Sequence, residues 1–283
     1  MNISRRSLLK LGAGAAAALA VGTNPIARAA RRCCKKRIPI ALQLYSVRKL
    51  AAKDPAGVIG KVAEMGYEGV EFAGYYGRSA KELRKILDTN GLKCCGTHIR
   101  LNTLQGDALK ATVEFNQTLG NPFLIVSWMP PQYAESLESI KETAKVYDEL
   151  AEKLKEFGMR VGYHAHGGDF KKIGGEFAWD LFFENTCDAV VMQLDIGNCL
   201  GAGGDPIATL KRFPGRSATI HVKEHGGPPE AVIGEGEVDW KQVFEICSTT
   251  GGTEWYIIEH ERGVGDPLDN VKRCLENVRK LTA

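Results

Sequence analysis

The sequence predicts a single-domain α/β protein, a (β/α)8 barrel of the TIM type, and three observations carry that expectation. From residue 38 onward, short runs rich in β-branched and aromatic residues alternate with longer runs bearing Lys, Glu and Leu at three-to-four spacing. Strand ends recur roughly every 26 to 38 residues, with neither a duplicated core nor a linker between them. The first strand is followed by Ser46-Val47-Arg48, with no G-x-G-x-x-G turn, which argues against a doubly wound dinucleotide fold.

The elements follow in order. A strand over 38–45 leads to Asp54-Pro55, an N-cap with proline at the first helical position, and a helix over 55–65 that ends at Gly66. A strand over 69–72 precedes a helix over 79–90 that closes on Asn90-Gly91, where the left-handed conformation is cheap. Strand 93–98 and helix 107–119 end the same way at Gly120, and strand 123–127 and helix 135–157 at Gly158. Strands over 160–164, 189–195, 217–223 and 255–259 complete the set. They alternate with helices over 176–185, 205–213, 239–249 and 266–281, of which the second and last open on Asp205-Pro206 and Asp266-Pro267. Residues 38–283 are thus one barrel. The glycine-rich stretch from Gly226 to Gly236 reads as a mobile loop after the seventh strand.

Residues 1–30 read as an address label. Arg5 and Arg6 stand directly before an apolar run from Leu11 to Val21, which is too short and too weakly apolar for a stable bilayer span. The run is followed by Ala27-Arg28-Ala29, a small-x-small cleavage pattern. The expectation is a twin-arginine signal, hence the twin-arginine export machinery as a partner, a periplasmic or extracellular address and no stable span after cleavage. Residues 31–37 form a basic linker.

Net charge is +3 over 283 residues, and the signal and linker hold several of the positive charges. The barrel is therefore near neutral, which argues against a nucleic-acid partner. The eight cysteines show no C-x-x-C pair and read mostly as small core residues. The oligomeric state is open.

In such a barrel the functional groups lie at the C-terminal strand ends, around one mouth. The strand ends carry Tyr45 and Arg48, Glu71, His98, Ser127 and Trp128, His164 and His166, Asp195 and Asn198, His221 and Lys223, and Glu259 and Glu261. Four of the chain's six histidines are in this set. His164, Asp195, His221 and Glu259 end four consecutive strands, so their side chains can close on one divalent ion. Two imidazoles and two carboxylates suit Mn²⁺, Fe²⁺, Co²⁺ or Zn²⁺ better than Ca²⁺.

Six segments carry a more specific likeness: 42–48 (LQLYSVR), 66–71 (GYEGVE), 162–166 (GYHAH), 194–198 (LDIGN), 221–224 (HVKE) and Ile258-Glu259. Through them the chain resembles the sugar phosphate isomerase/epimerase family of the xylose-isomerase-like TIM-barrel superfamily, which also holds inosose dehydratases and endonuclease-IV-type enzymes. The resemblance implies a metal held by Glu, Asp, His and Glu at strands five to eight, here His164, Asp195, His221 and Glu259. His164 departs from the glutamate of the ketose epimerases, which puts a two-glutamate proton shuttle in doubt. The nucleic-acid branch of the superfamily carries a histidine where this chain has Asn198.

The expected chemistry is proton abstraction beside a carbonyl, with a metal-stabilised enediolate, on a small-molecule sugar or glycoside. Glu259, His166 and Lys223 are the candidate catalytic groups. Arg48, Glu71, His98, Trp128 and Asn198 are the candidate substrate contacts, and Tyr75 and Tyr76 also lie in loops over the mouth. Isomerisation or epimerisation is the first expectation. The alternative is a lyase or hydratase acting on a keto-sugar or 3-keto-glycoside by the same chemistry, and a third is a non-catalytic carbohydrate-binding barrel.

Overall fold

The computed structural model describes residues 37–283. The expected signal (1–30) and all of the basic linker except Arg37 lie outside the described residues; Arg37 itself pairs with Glu68 at 2.8 Å. Eight βα units follow: β1 (Ile40–Gln43), α1 (Pro55–Met65), β2 (Gly69–Phe72), α2 (Ala80–Thr89), β3 (Lys93–Ile99), α3 (Ala108–Leu119), β4 (Phe123–Val126), α4 (Leu137–Lys155), β5 (Arg160–His164), α5 (Ala178–Glu184), β6 (Val191–Gln193), α6 (Pro206–Arg212), β7 (Thr219–Val222), α7 (Trp240–Thr249), β8 (Trp255–Ile258) and α8 (Pro267–Leu281).

The eight strands are all parallel, in the order β6-β5-β4-β3-β2-β1-β8-β7. The remaining seam, between β6 and β7, is joined by a single parallel bridge pairing Asp195 with His221. His221 N–H donates to Leu194 O at 3.0 Å, and Met192 N–H to Arg216 O at 2.8 Å. Barrel closure therefore falls on two of the residues expected to share an ion. Among the described residues, no helix is long and apolar enough to cross a membrane.

The expected caps form. Asp54, Asp205 and Asp266 each accept backbone N–H groups of the first turn that follows, satisfying donors a helix end leaves orphaned. Strand one is shorter than expected because the Gln43 side chain accepts Tyr45 N–H at 3.0 Å and turns the chain into a 3-10 segment over Leu44–Val47. The run expected to start a helix at 176 first makes a short antiparallel ribbon, Lys172–Ile173 with Glu176–Phe177.

Period-two alternation sorts the strand residues into two sets. Outward-facing residues such as Leu42, Val70, Leu124, Val161, Met192, Ile220 and Ile258 join the main core under the helices. Inward-facing ones make a small apolar plug from Ala41, Cys95, Phe123, Ile125, Val191, Ala218 and Ile257, backed by Trp255. One step further along the same inward rows the residues turn polar: Gln43, Glu71, His98, His164, Gln193, His221 and Glu259. Seven of the eight strands thus end with chemistry stacked on packing, and β4 stays apolar to its end.

Candidate metal centre and active site

His164, Asp195, His221 and Glu259 are all buried, and each offers a ligand atom within 4.8 Å of the others'. Three of the polar atoms in this set are fully buried without a hydrogen-bond partner among the described residues: His164 Nδ1, Asp195 Oδ2 and His221 Nδ1. Orphaned buried acceptors normally cost on the order of 1–3 kcal/mol each, so three in one place need a partner. His221 Nδ1 lies 2.8 Å from Glu259 Oε2 and 3.8 Å from Asp195 Oδ2, close but not aligned as a hydrogen bond. Asp195 Oδ1 is spent on Asn198 N–H at 2.7 Å, leaving Oδ2 to the cluster. Mixed N/O donors, orphaned atoms and spacing all fit a divalent transition-metal ion.

The charge balance agrees. Glu71, Asp195, Glu259 and Glu261 face Lys223 and Arg48 in one connected ion-pair network, four carboxylates against two fixed cations. A doubly charged ion would supply the difference. Metal-free, His221 takes up part of that role: burial alone would depress its pKa, but the flanking Glu71 and Glu259 carboxylates push it up to about 10. His164 moves the other way, well below the usual imidazole value, because it is buried and surrounded by His221, His98 and Lys223. It is a neutral, ready ligand. Burial raises Asp195 against the pull of Lys223, whereas Glu259 is held below the carboxylate range by His221 and Lys223 despite its burial.

Beneath the cluster lies a second layer. Glu71 Oε2 sits 2.6 Å from His221 Nε2 and 3.1 Å from His98 Nε2, and it accepts Gln43 Nε2 at 2.7 Å. Gln193 Nε2 donates to Glu71 Oε1 at 2.8 Å, and Gln193 Oε1 lies 2.9 Å from His98 Nε2. A carboxylate can only accept, so Glu71 keeps the proton on His221 Nε2, and once the ring is neutral its lone pair is on Nδ1, facing the cluster. Gly96 makes this possible, since a Cβ there would fall 2.4 Å from Glu71 Oε1. Glu71, expected to grip substrate hydroxyls, is fully buried with both oxygens engaged, and so is placed as a support for His221.

The other expected residues divide. Lys223 Nζ lies 3.1 Å from Glu259 Oε1, 2.7 Å from Glu261 Oε2 and 3.9 Å from Asp195 Oδ2; these carboxylates outweigh burial and raise its pKa, keeping it a cation. Its aliphatic stem passes Gly197, where a Cβ would come within 2.9 Å of Lys223 Cγ. His166 stacks edge-on to His164, with ring centroids 4.7 Å apart, and burial lowers its pKa. His98 lies 4.6 Å from His164, centroid to centroid. Asn198 is used structurally, its Nδ2 donating to Ala165 O at 3.0 Å. Arg48 stacks over Tyr45 at 4.1 Å and reaches Glu261 at 3.9 Å, away from the four-residue cluster. Trp128 stands at the rim, 56% exposed.

Two groups of residues escaped the sequence reading. Gln43 and Gln193 had a signal, as lone amides closing otherwise apolar strands. Asp169 had none: it is buried in the loop after β5, accepting Tyr133 and Tyr163 hydroxyls on one oxygen and His166 N–H on the other at 2.7 Å. The expected mobile loop is also differently built. Glu224 accepts His225, Gly234 and Val238 N–H and Trp240 Nε1–H, Arg262 donates to Gly226 and Pro228 carbonyls, and Ala231, Val232 and Ile233 are fully buried.

Known proteins show the same frame. The chain is 24% identical over 267 residues to the rhizopine catabolism protein MocC of Rhizobium meliloti, covering 80% of this chain and 81% of that protein. It is 24% identical over 266 residues to the inosose dehydratase of Clostridium tetani, covering 80% and 89%. A crystal structure of a sugar phosphate isomerase/epimerase from Parabacteroides distasonis superposes with a TM-score of 0.74 at 23% identity, over 86% of this chain and 98% of that one. Residues 59–281 match the family pattern, and the chain belongs to the xylose isomerase-like TIM barrel family.

Proposed function

We propose that this protein is a metal-dependent lyase that removes a proton next to the carbonyl of a keto-polyol or keto-sugar and expels a β-oxygen substituent, water in the simplest case. The observation that carries the proposal is the buried His164–Asp195–His221–Glu259 cluster with its three orphaned donor atoms. The inosose dehydratase relatives favour elimination over the isomerisation or epimerisation first expected from sequence. The departure at His164 from a two-glutamate shuttle points the same way. Isomerisation is the second reading, favoured by the likeness to a sugar phosphate isomerase/epimerase structure.

A divalent ion bound by the four side chains, of the Mn²⁺, Fe²⁺, Co²⁺ or Zn²⁺ class, would act as a Lewis acid on the substrate carbonyl. The chain's own groups supply the rest. His166, neutral at ordinary pH because it is partly buried, accepts the proton from the carbon beside the carbonyl. Lys223, held cationic by Glu259 and Glu261, faces the oxygen on which negative charge grows. Its ammonium, or water it orients, hands a proton to the departing oxygen. Glu259 links the ligand set to Lys223, so metal and acid are positioned by one carboxylate.

The test is product mass after incubation of the metal-loaded protein with inosose and 3-keto-glucosides in D2O. Elimination yields a product lighter by one water or one alcohol. A product that has lost nothing and is heavier only by the deuterium taken up supports the second reading, and absence of both conversion and exchange refutes the proposal. Export belongs to the same proposal and rests on the Arg5-Arg6 pair and the apolar run after it. Cell fractionation should find wild type outside the cytoplasm and an Arg5→Lys/Arg6→Lys variant inside; equal distribution of the two would refute it.

A further inference from the structure

The mouth of the barrel is chemically two-sided. Over β7 and β8 it is lined by charge: Lys223, Glu259, Glu261 and Arg262 border a cavity of about 230 Å³. Across the cluster, beyond His98, lies a cavity of about 340 Å³ with an apolar lining, walled by Tyr75, Ile99, Ala111 and Phe115 and rimmed by Arg100. His98 is the shared wall, its ring 4.6 Å from that of His164.

We propose that this second cavity is a substrate subsite for a flat apolar substituent of aromatic-ring size carried by the polyol or sugar ring. The inference rests on the proposed function and names its substrate class more closely: a glycoside or ether with an aryl-like group, in place of a bare polyol. Three features support it. A dry cavity of about 150 Å³ suffices for one benzene ring, so the space here holds a ring with room for its linkage. The Tyr75 and Phe115 rings meet at 4.1 Å between centroids and form a continuous aromatic wall.

That wall is also fixed in place. Tyr75 Oη lies 3.0 Å from Asn116 Nδ2, which donates to it; Asn116 Oδ1 accepts Asn121 Nδ2 at 2.9 Å, and Asn121 Nδ2 reaches Thr97 Oγ1 at 3.0 Å. The tyrosine's polar end is thereby satisfied behind the wall, and its ring is held before any ligand arrives. On α3, Ala111 and Phe115 are four residues apart and share a face, with the small side chain leaving the space that the large one borders.

The test is calorimetric binding of methyl and phenyl β-D-glucopyranoside, which lack the carbonyl and do not react, to the Mn²⁺-loaded protein. Burial of one phenyl ring should make the phenyl glycoside bind roughly tenfold tighter or more. Ala111→Phe, at an exposed helical position, should fill the cavity and abolish that preference while leaving methyl glycoside binding and thermal stability unchanged. Phe115→Leu should shrink the preference in the same direction. Equal affinity of the two glycosides for wild type, or a preference untouched by Ala111→Phe, overturns the subsite alone. No binding by either overturns the sugar-binding reading, and the subsite with it.

Discussion

Glu71 is a buried carboxylate placed behind the candidate ligands, where it can act on them without touching substrate. Its short contact to His221 Nε2 fixes which imidazole nitrogen faces the cluster, and Gln43, Gln193 and His98 hold it there. Glu71→Gln keeps the shape and removes the charge. Metal affinity should fall about 10- to 100-fold by competition with a chelating dye, as expected for a carboxylate behind a ligating histidine. Unchanged affinity would remove Glu71 from the account. Asp169 gives a pH prediction. Burial raises its pKa even though two tyrosine hydroxyls and His166 N–H donate to it. A carboxyl whose folded value exceeds its unfolded one, about 3.9, stabilises the fold fully below that value and loses the contribution as pH rises through the folded value. Wild-type stability relative to Asp169→Asn should therefore decline as pH rises above about 4 in urea titrations; a relative rise would contradict the assignment. At this scale the sequence was informative where side chains end strands. The ligand candidates needed only strand position. The division between contact and support did not follow, because it depends on depth: Glu71 and Glu259 both end strands, yet only the first is locked beneath the cluster.

Among the elements, helices and caps were legible because their causes are local. Aspartate before proline and glycine at helix ends act over a few residues, and α1, α6 and α8 begin where those signals put them. Segments governed by distant partners were not. The stretch from Gly226 to Gly236 is glycine-rich and reads as mobile, but Glu224 gathers four donors from within and around it (His225, Gly234, Val238 and the Trp240 indole), while Arg262 of the β8 loop secures its carbonyls. Glycine there serves backbone geometry, with Gly226 and Gly227 at φ of 70° and 75°. Glu224→Ala would leave these donors unpaired in a buried place, with an expected loss of about 3 kcal/mol. Amide hydrogen exchange should quicken across residues 225–238 and little elsewhere. Exchange as slow as in wild type would mean that the loop is held by its apolar residues alone.

The whole molecule follows one plan: the barrel carries an apolar plug below and, on every strand but β4, polar groups above, and the seam is closed by the pairing of Asp195 with His221. Because the seam residues belong to the candidate ligand set, an ion bound there would couple metal binding to barrel closure. The barrel was readable from repetition alone, whereas the tightness of the seam was not, since it follows from long-range pairing of residues 26 positions apart in the chain. An ion that binds only the folded barrel stabilises it by mass action, about 2.7 kcal/mol at a hundredfold excess over Kd. Four side chains at the ends of β5 to β8 are proposed to hold one divalent ion. The most direct test is the metal content of the folded protein, purified without chelator, beside an Asp195→Ala/Glu259→Ala variant of matched circular dichroism. The account predicts one Mn²⁺-, Fe²⁺-, Co²⁺- or Zn²⁺-class ion per wild-type chain and none in the variant; a metal-free wild type, or an ion retained equally by both, would contradict it.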